Sequence, residues 1–143
     1  MTNDKNKRVV IDTNTLISAV IIPKSIPAQA LKKAFEYYVI CISEETEQEL
    51  VEVISRPKFD KYFLDNTFTR ESFLRVFLDS CIRVTPRLQV QDCRDPKDDK
   101  FLSVALEAKA VMLVTGDKRD LLSMHPYKDV SIITARDFLS LPI

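Results

Sequence analysis

Short apolar runs alternate along the chain with stretches in which apolar residues return every three or four positions. Arg8-Val9-Val10-Ile11, residues 38–42 and residues 111–115 are nearly continuous apolar runs, a pattern that predicts strands buried on both faces. Residues 82–85, stopped by Pro86, and residues 130–133 predict two more strands. Between them, residues 16–22 predict a short apolar helix ended by Pro23. Pro27 suits the first turn of a second helix, with Ala30, Leu31, Ala34 and Phe35 on its buried stripe and Lys32, Lys33 and Glu36 opposite. Residues 44–55 predict an acidic helix with Leu50, Val51 and Ile54 inside, closed by Arg56-Pro57. Thr69 is placed to cap a helix whose inner face is Phe73, Val76, Phe77 and Cys81. Asp98 or Asp99 opens a helix over 100–109, and shorter helices are expected over 118–124 and 134–141. Strands alternating with helices predict an α/β fold, with a mostly parallel sheet of four or five strands covered on both faces.

Composition narrows the class. A chain of 143 residues that is 45% hydrophobic is long enough to bury a core of its own. Lys and Arg total 21 and Asp and Glu total 21, so net charge neither requires nor excludes a nucleic-acid partner. Cys41, Cys81 and Cys93 are scattered and odd in number, which argues against a disulfide framework and for a reducing, cytoplasmic setting. Residues 1–8 lack the apolar core of a signal peptide, and no apolar run approaches the ~20 residues needed to span a bilayer, so no membrane association is expected.

The chemistry lies in the acids. Asp12 and Asp117 each directly follow a predicted buried strand, so in a parallel sheet both project from the same carboxyl edge, where open α/β sheets bind ligands. Asp99 lies at the start of the helix leading into the second of these strands, and Glu49 would reach the site from the acidic helix. Converging carboxylates form a hard-oxygen pocket suited to Mg²⁺ or Mn²⁺. Two such ions, roughly 3.5–4 Å apart, stabilise the attacking and leaving oxygens of a phosphodiester displacement, and one ion can serve a similar role with fewer ligands. Plainer roles compete. Glu49 stands three residues after Thr46, the spacing of a capping box. Asp98, Asp99 and Asp117 each suit an N-cap, and Asp95 a turn with Pro96. Asp12 is the hardest to explain as structure. Gly116, the only glycine, reads as a tight exit from the strand that aims Asp117 into the cleft. His125, the only histidine, precedes Pro126 in a predicted surface loop, so a histidine-based triad is not expected.

Asp12-Thr13-Asn14, Glu49-Leu50 with Arg56-Pro57-Lys58-Phe59, Asp95-Pro96-Lys97-Asp98-Asp99 and Val114-Thr115-Gly116-Asp117 together resemble the PIN-domain ribonucleases. Within them, the chain most resembles the VapC-like branch of toxin components of toxin–antitoxin systems. The resemblance covers nearly the whole chain and implies a single PIN-like domain over 1–143 with a three-layer α/β/α fold. It implies a metal-dependent endoribonuclease that cleaves single-stranded RNA with water activated by carboxylate-bound Mg²⁺ or Mn²⁺. The family's acids carry over to Asp12, Glu49, Asp99 and Asp117, as catalytic and metal-binding residues, with Asp98 the alternative third acid. Asn14 and Thr115 match the accessory polar positions. Lys97, Lys100, Lys118 and Arg119 flank the acids and are placed to attract RNA phosphates, or are ordinary solvated helix charges. A cognate antitoxin and a homodimer are family expectations.

Two rivals have distinct signatures. A receiver-like phosphoacceptor domain needs paired acids after its first strand and a lysine after its last, whereas Thr13-Asn14 follow Asp12 and Thr134-Ala135 follow residues 130–133. Acetyl-phosphate labelling separates that reading. A catalytically silent PIN-like binding module keeps the acids without turnover, and a Mn²⁺-titrated ribonuclease assay separates it.

Overall fold

The computed structural model describes residues 7–64, 69–116 and 119–143. Five strands, β1 (Arg8–Ile11), β2 (Val39–Ile42), β3 (Ile82–Arg83), β4 (Met112–Thr115) and β5 (Ser131–Thr134), form one sheet in the order β3-β2-β1-β4-β5. Every neighbouring pair is parallel, with Val10 opposite Leu113 and Ile11 opposite Val114. Strand residues alternate between two cores. Val9, Ile11, Ile40, Ile42, Met112 and Val114 enter one; Val10, Cys41, Leu113 and Ile132 enter the other. The first core is covered by α1 (Thr13–Ile21), α2 (Ile26–Tyr37), α3 (Glu44–Ile54), α4 (Arg70–Ser80) and α7 (Ala135–Ser140). The second lies under α5 (Asp99–Ala108) and α6 (Arg119–Leu122). Both faces of the central strands are therefore buried, which is why those strands are apolar without alternation. The result is the three-layer α/β/α arrangement expected, with all five strands parallel.

Helix starts follow local chemistry. Ser25 caps α2 with Pro27 in its first turn, and Thr69 with Ser72 forms a capping box on α4. On α3 the capping box joins Ser43 to Thr46, so the Thr46–Glu49 spacing is not a cap and the Glu49 side chain is left for other contacts. A 3-10 turn over Pro57–Phe63 is tied to α4 by Arg70, which donates to the Ile54 carbonyl at 2.6 Å and to Asp60 at 2.7 Å.

Four expectations need correction. Lys33, expected on the solvent side of α2, is buried and donates to the carbonyls of Phe138 at 2.8 Å, Leu139 at 3.4 Å and Leu141 at 2.5 Å, closing the C-terminal end of α7. Orphan carbonyls at a helix end attract a cation, and a helical wheel cannot reveal one supplied from another helix. Lys33→Met is expected to destabilise the fold by about 1–3 kcal/mol, through loss of charge-assisted hydrogen bonds to buried acceptors, read from urea denaturation. Val76 and Val51, expected inside, are 62% and 39% exposed. β3 is only two residues long and lies at the sheet edge with both residues exposed. Gly116 has no left-handed backbone, and a Cβ added there would lie 3.7 Å from Thr15 Oγ1, an ordinary contact. Gly116→Ala is accordingly expected to melt at or above the wild-type temperature, a gain of up to ~1 kcal/mol from the less flexible unfolded chain.

The three cysteines are free, Cys41 and Cys93 buried and Cys81 half-buried. Burial pushes each thiol up, Cys81 to about 12, so they fill the interior as protonated groups. His125 is exposed, and its Nδ1 accepts from the Ile132 amide at 2.8 Å, which pins the loop before β5. Among the described residues no helix is long and apolar enough to cross a membrane.

Candidate active site

The carboxyl ends of β1 and β4 lie side by side. The Asp12 amide continues the ladder by donating to the Val114 carbonyl at 3.1 Å. From β1 the chain proceeds to β2 on one side, and β4 returns on the other, so Asp12 stands at the topological switch point of the sheet. It is fully buried. Asp12 Oδ1 accepts from the Thr15 amide at 2.9 Å, and Oδ2 accepts from the Thr115 hydroxyl, itself fully buried. Asp12 is thus also the N-cap of α1, a structural use that the sequence did not suggest for it.

Two neighbouring hydroxyls complete this corner. Thr15 Oγ1 is buried with no hydrogen-bond partner among the described residues, and it faces the backbone at Gly116. A buried hydroxyl left without a partner is costly unless water or a ligand reaches it. The Thr13 hydroxyl donates to Glu49 Oε2 at 2.5 Å, while Lys100 Nζ donates to Glu49 Oε1 at 2.6 Å. Glu49 therefore reaches Thr13, the residue after Asp12, from α3, and both its oxygens are engaged there. These hydroxyls follow from the run Asp12-Thr13-Asn14-Thr15, in which Asn14 is the exposed member.

The acids at the head of α5 separate into distinct environments. Asp95 accepts from the Lys97 amide at 3.1 Å and caps the short 3-10 turn over Pro96–Asp98. Asp98 occupies the N-cap position of α5 yet makes no cap hydrogen bond, and it is buried at 3% exposure. Asp99 is half-buried, and its carboxylate accepts from the Cys93 amide at 2.8 Å. Consecutive helical residues point about 100° apart, so only one of these two can face the sheet edge. The loop that Asp99 holds is further fixed by the Val90 amide to Ser103 at 3.0 Å and by the Tyr127 hydroxyl to Asp92 at 2.5 Å. Burial, reinforced by Asp92, pushes the Tyr127 phenol up to about 12, so it stays a donor.

Of the flanking cations, Lys97 and Arg119 are exposed, and Lys100 is committed to Glu49. Asp117 and Lys118 lie outside the described residues. Among the described residues no three His, Cys, Asp or Glu side chains converge closely enough to hold a metal ion together. What they do supply at the end of β1 is the Asp12 carboxylate with the buried Thr15 and Thr115 hydroxyls beside it, oxygen groups without sulfur or imidazole, a chemistry that fits a hard divalent cation.

Comparison with known proteins agrees with this architecture. Residues 8–119 match the family model described as PIN domain. An uncharacterized protein of Methanocaldococcus jannaschii is 38% identical over 119 residues, covering 82% of this chain and 75% of that protein. Among solved structures, the crystal structure of VapBC2 from Rickettsia felis bound to a DNA fragment from their promoter is similar, with a TM-score of 0.61 and 17% identity. That likeness covers 89% of this chain and 98% of the matched one and establishes a shared fold. With the sheet order, the buried Asp12 at the switch point and the family match over most of the chain, the protein belongs to the PIN-domain family.

Proposed function

We propose that the chain is a single-domain, Mg²⁺- or Mn²⁺-dependent endoribonuclease acting on single-stranded RNA. The observation that carries the reading is the fully buried Asp12 at the β1–β4 switch point, beside a buried Thr15 hydroxyl with no partner among the described residues. Asp12, Asp98 and Asp117 are the acids that would hold the cation. We prefer Asp98 to its neighbour Asp99 in this set because Asp98 is buried without capping its helix, whereas Asp99 holds the loop through the Cys93 amide. When bound, the cation supplies Lewis acidity to water and offsets negative charge on the phosphodiester. The chain's own residues do the positioning. The Thr15 amide and the Thr115 hydroxyl fix the orientation of the Asp12 carboxylate. The exposed Lys97 and Arg119 lie near the same edge and suit the phosphates of a single strand by charge. A cytoplasmic setting suits three unpaired cysteines.

A protein partner of the antitoxin kind belongs to the same reading. α1, α2 and α4 leave an apolar groove of about 790 Å³ lined by Val20, Leu31, Phe35, Phe73, Val76 and Phe77. Its exposed Val76 is what a partner's apolar helix face would cover. The solved neighbour is a VapBC2 assembly, which supports a toxin-like role, possession of an antitoxin and a dimeric state as proposals for this chain. The function is tested by incubating purified protein with a mixed single-stranded RNA pool. Cleavage that appears with Mn²⁺ and stops with chelator supports it. Binding without cleavage at any Mn²⁺ concentration favours the silent binding module instead.

A further inference from the structure

We infer that the Lys100 ammonium stands in the place of a second metal ion, so that the acidic pocket takes a single divalent cation and Glu49 is held for the protein rather than for metal. The inference rests on the metal-site reading above. Lys100 comes from the first turn of α5, and Glu49 from α3, so their contact joins two layers on either side of the Asp12 corner. The contact is short, 2.6 Å between Nζ and Oε1, and the two side chains are only 14% and 23% exposed. Water and salt therefore screen it less than a surface pair. The other oxygen, Oε2, accepts from the Thr13 hydroxyl, on the residue next to Asp12. Glu49 is thereby doubly hydrogen-bonded and its charge already balanced.

A divalent ion on Glu49 would face a direct conflict. Mg²⁺ binds carboxylate oxygen at about 2.1 Å, so an ion on Oε1 would lie no more than about 4.7 Å from Nζ. Two cations at that separation in a half-buried site repel strongly. The described acids agree: Glu49 does not converge with Asp12 and Asp98 into a metal-holding cluster. Lys100 acts as a positioning residue, linked through Glu49 to the Thr13 hydroxyl by one chain of hydrogen bonds that ends on the residue after Asp12.

The test is Mn²⁺ stoichiometry by titration calorimetry, together with electron paramagnetic resonance of the loaded protein. Wild type is expected to bind one Mn²⁺ per chain, with the spectrum of an isolated ion. Lys100→Met is expected to bind two, with the spectrum of a coupled pair, and Lys100→Arg to return to one. Two ions in wild type, or one in a folded Lys100→Met, overturns the inference and leaves the metal site standing. The wild-type count decides the matter even if Lys100→Met does not fold. No Mn²⁺ in wild type, matched by Asp12→Asn, removes the metal-site reading and the inference together.

Discussion

Asp98→Asn is expected to lower Mn²⁺-dependent RNA cleavage on the order of 100-fold or more, whereas Asp99→Asn leaves it within a few-fold. The two residues are adjacent and chemically identical, so the contrast isolates geometry. Asp98 is 3% exposed at the N-cap position of α5 without making a cap hydrogen bond, so its burial serves no helix start. Asp99 is bound to the Cys93 amide at 2.8 Å. Asp99→Ala would leave that amide without its acceptor and loosen the loop between β3 and α5, at an expected cost of about 1–2 kcal/mol of stability. The two asparagine variants should therefore separate in activity, while the melting temperature falls with Asp99→Ala and not with Asp99→Asn, whose side-chain oxygen still accepts from the Cys93 amide. Equal loss of activity in both would place the third acid outside this arrangement.

Asp12→Asn is expected to abolish cleavage and keep the fold. Asparagine is as good an N-cap as aspartate, so Oδ1 can still accept from the Thr15 amide. The Thr115 hydroxyl can rotate to accept from the new amide instead of donating to Oδ2. Removing a charge from a fully buried position offsets what hydrogen-bond strength is lost, so the metal-free melting temperature should not fall. Asp12→Ala is the informative contrast. It removes the cap and strands the buried Thr115 hydroxyl, at an expected cost of about 2–4 kcal/mol. A pair of variants equally inactive but unequally stable would separate the chemical use of Asp12 from its structural one.

The central strands and the place of Asp12 were legible because burial on both faces leaves an apolar run, and an acid ending such a run has one direction to point. Thr115 came from the family resemblance alone, and it stands at the matching end of β4. The different environments of Asp98 and Asp99 were not. They depend on where the 3-10 turn over Pro96–Asp98 hands over to α5, and a one-residue shift in that handover rotates the whole first turn by about 100°. Lys33 was misread because its partners are carbonyls of α7, more than a hundred positions away. Val76 fits a core stripe by periodicity alone, but nothing in its own helix says whether another element covers that stripe. The engagement of Glu49 with Thr13 and Lys100 is a contact among three helices that no local pattern encodes.

The most direct measurement is cleavage of a mixed single-stranded RNA pool across a Mn²⁺ titration, run side by side with wild type and Asp12→Asn at matched folded concentration. Wild-type cleavage rising with Mn²⁺ to saturation, and none above background for Asp12→Asn, is the predicted result. Wild-type cleavage retained by a folded Asp12→Asn, or cleavage that ignores Mn²⁺ and chelator, would contradict it.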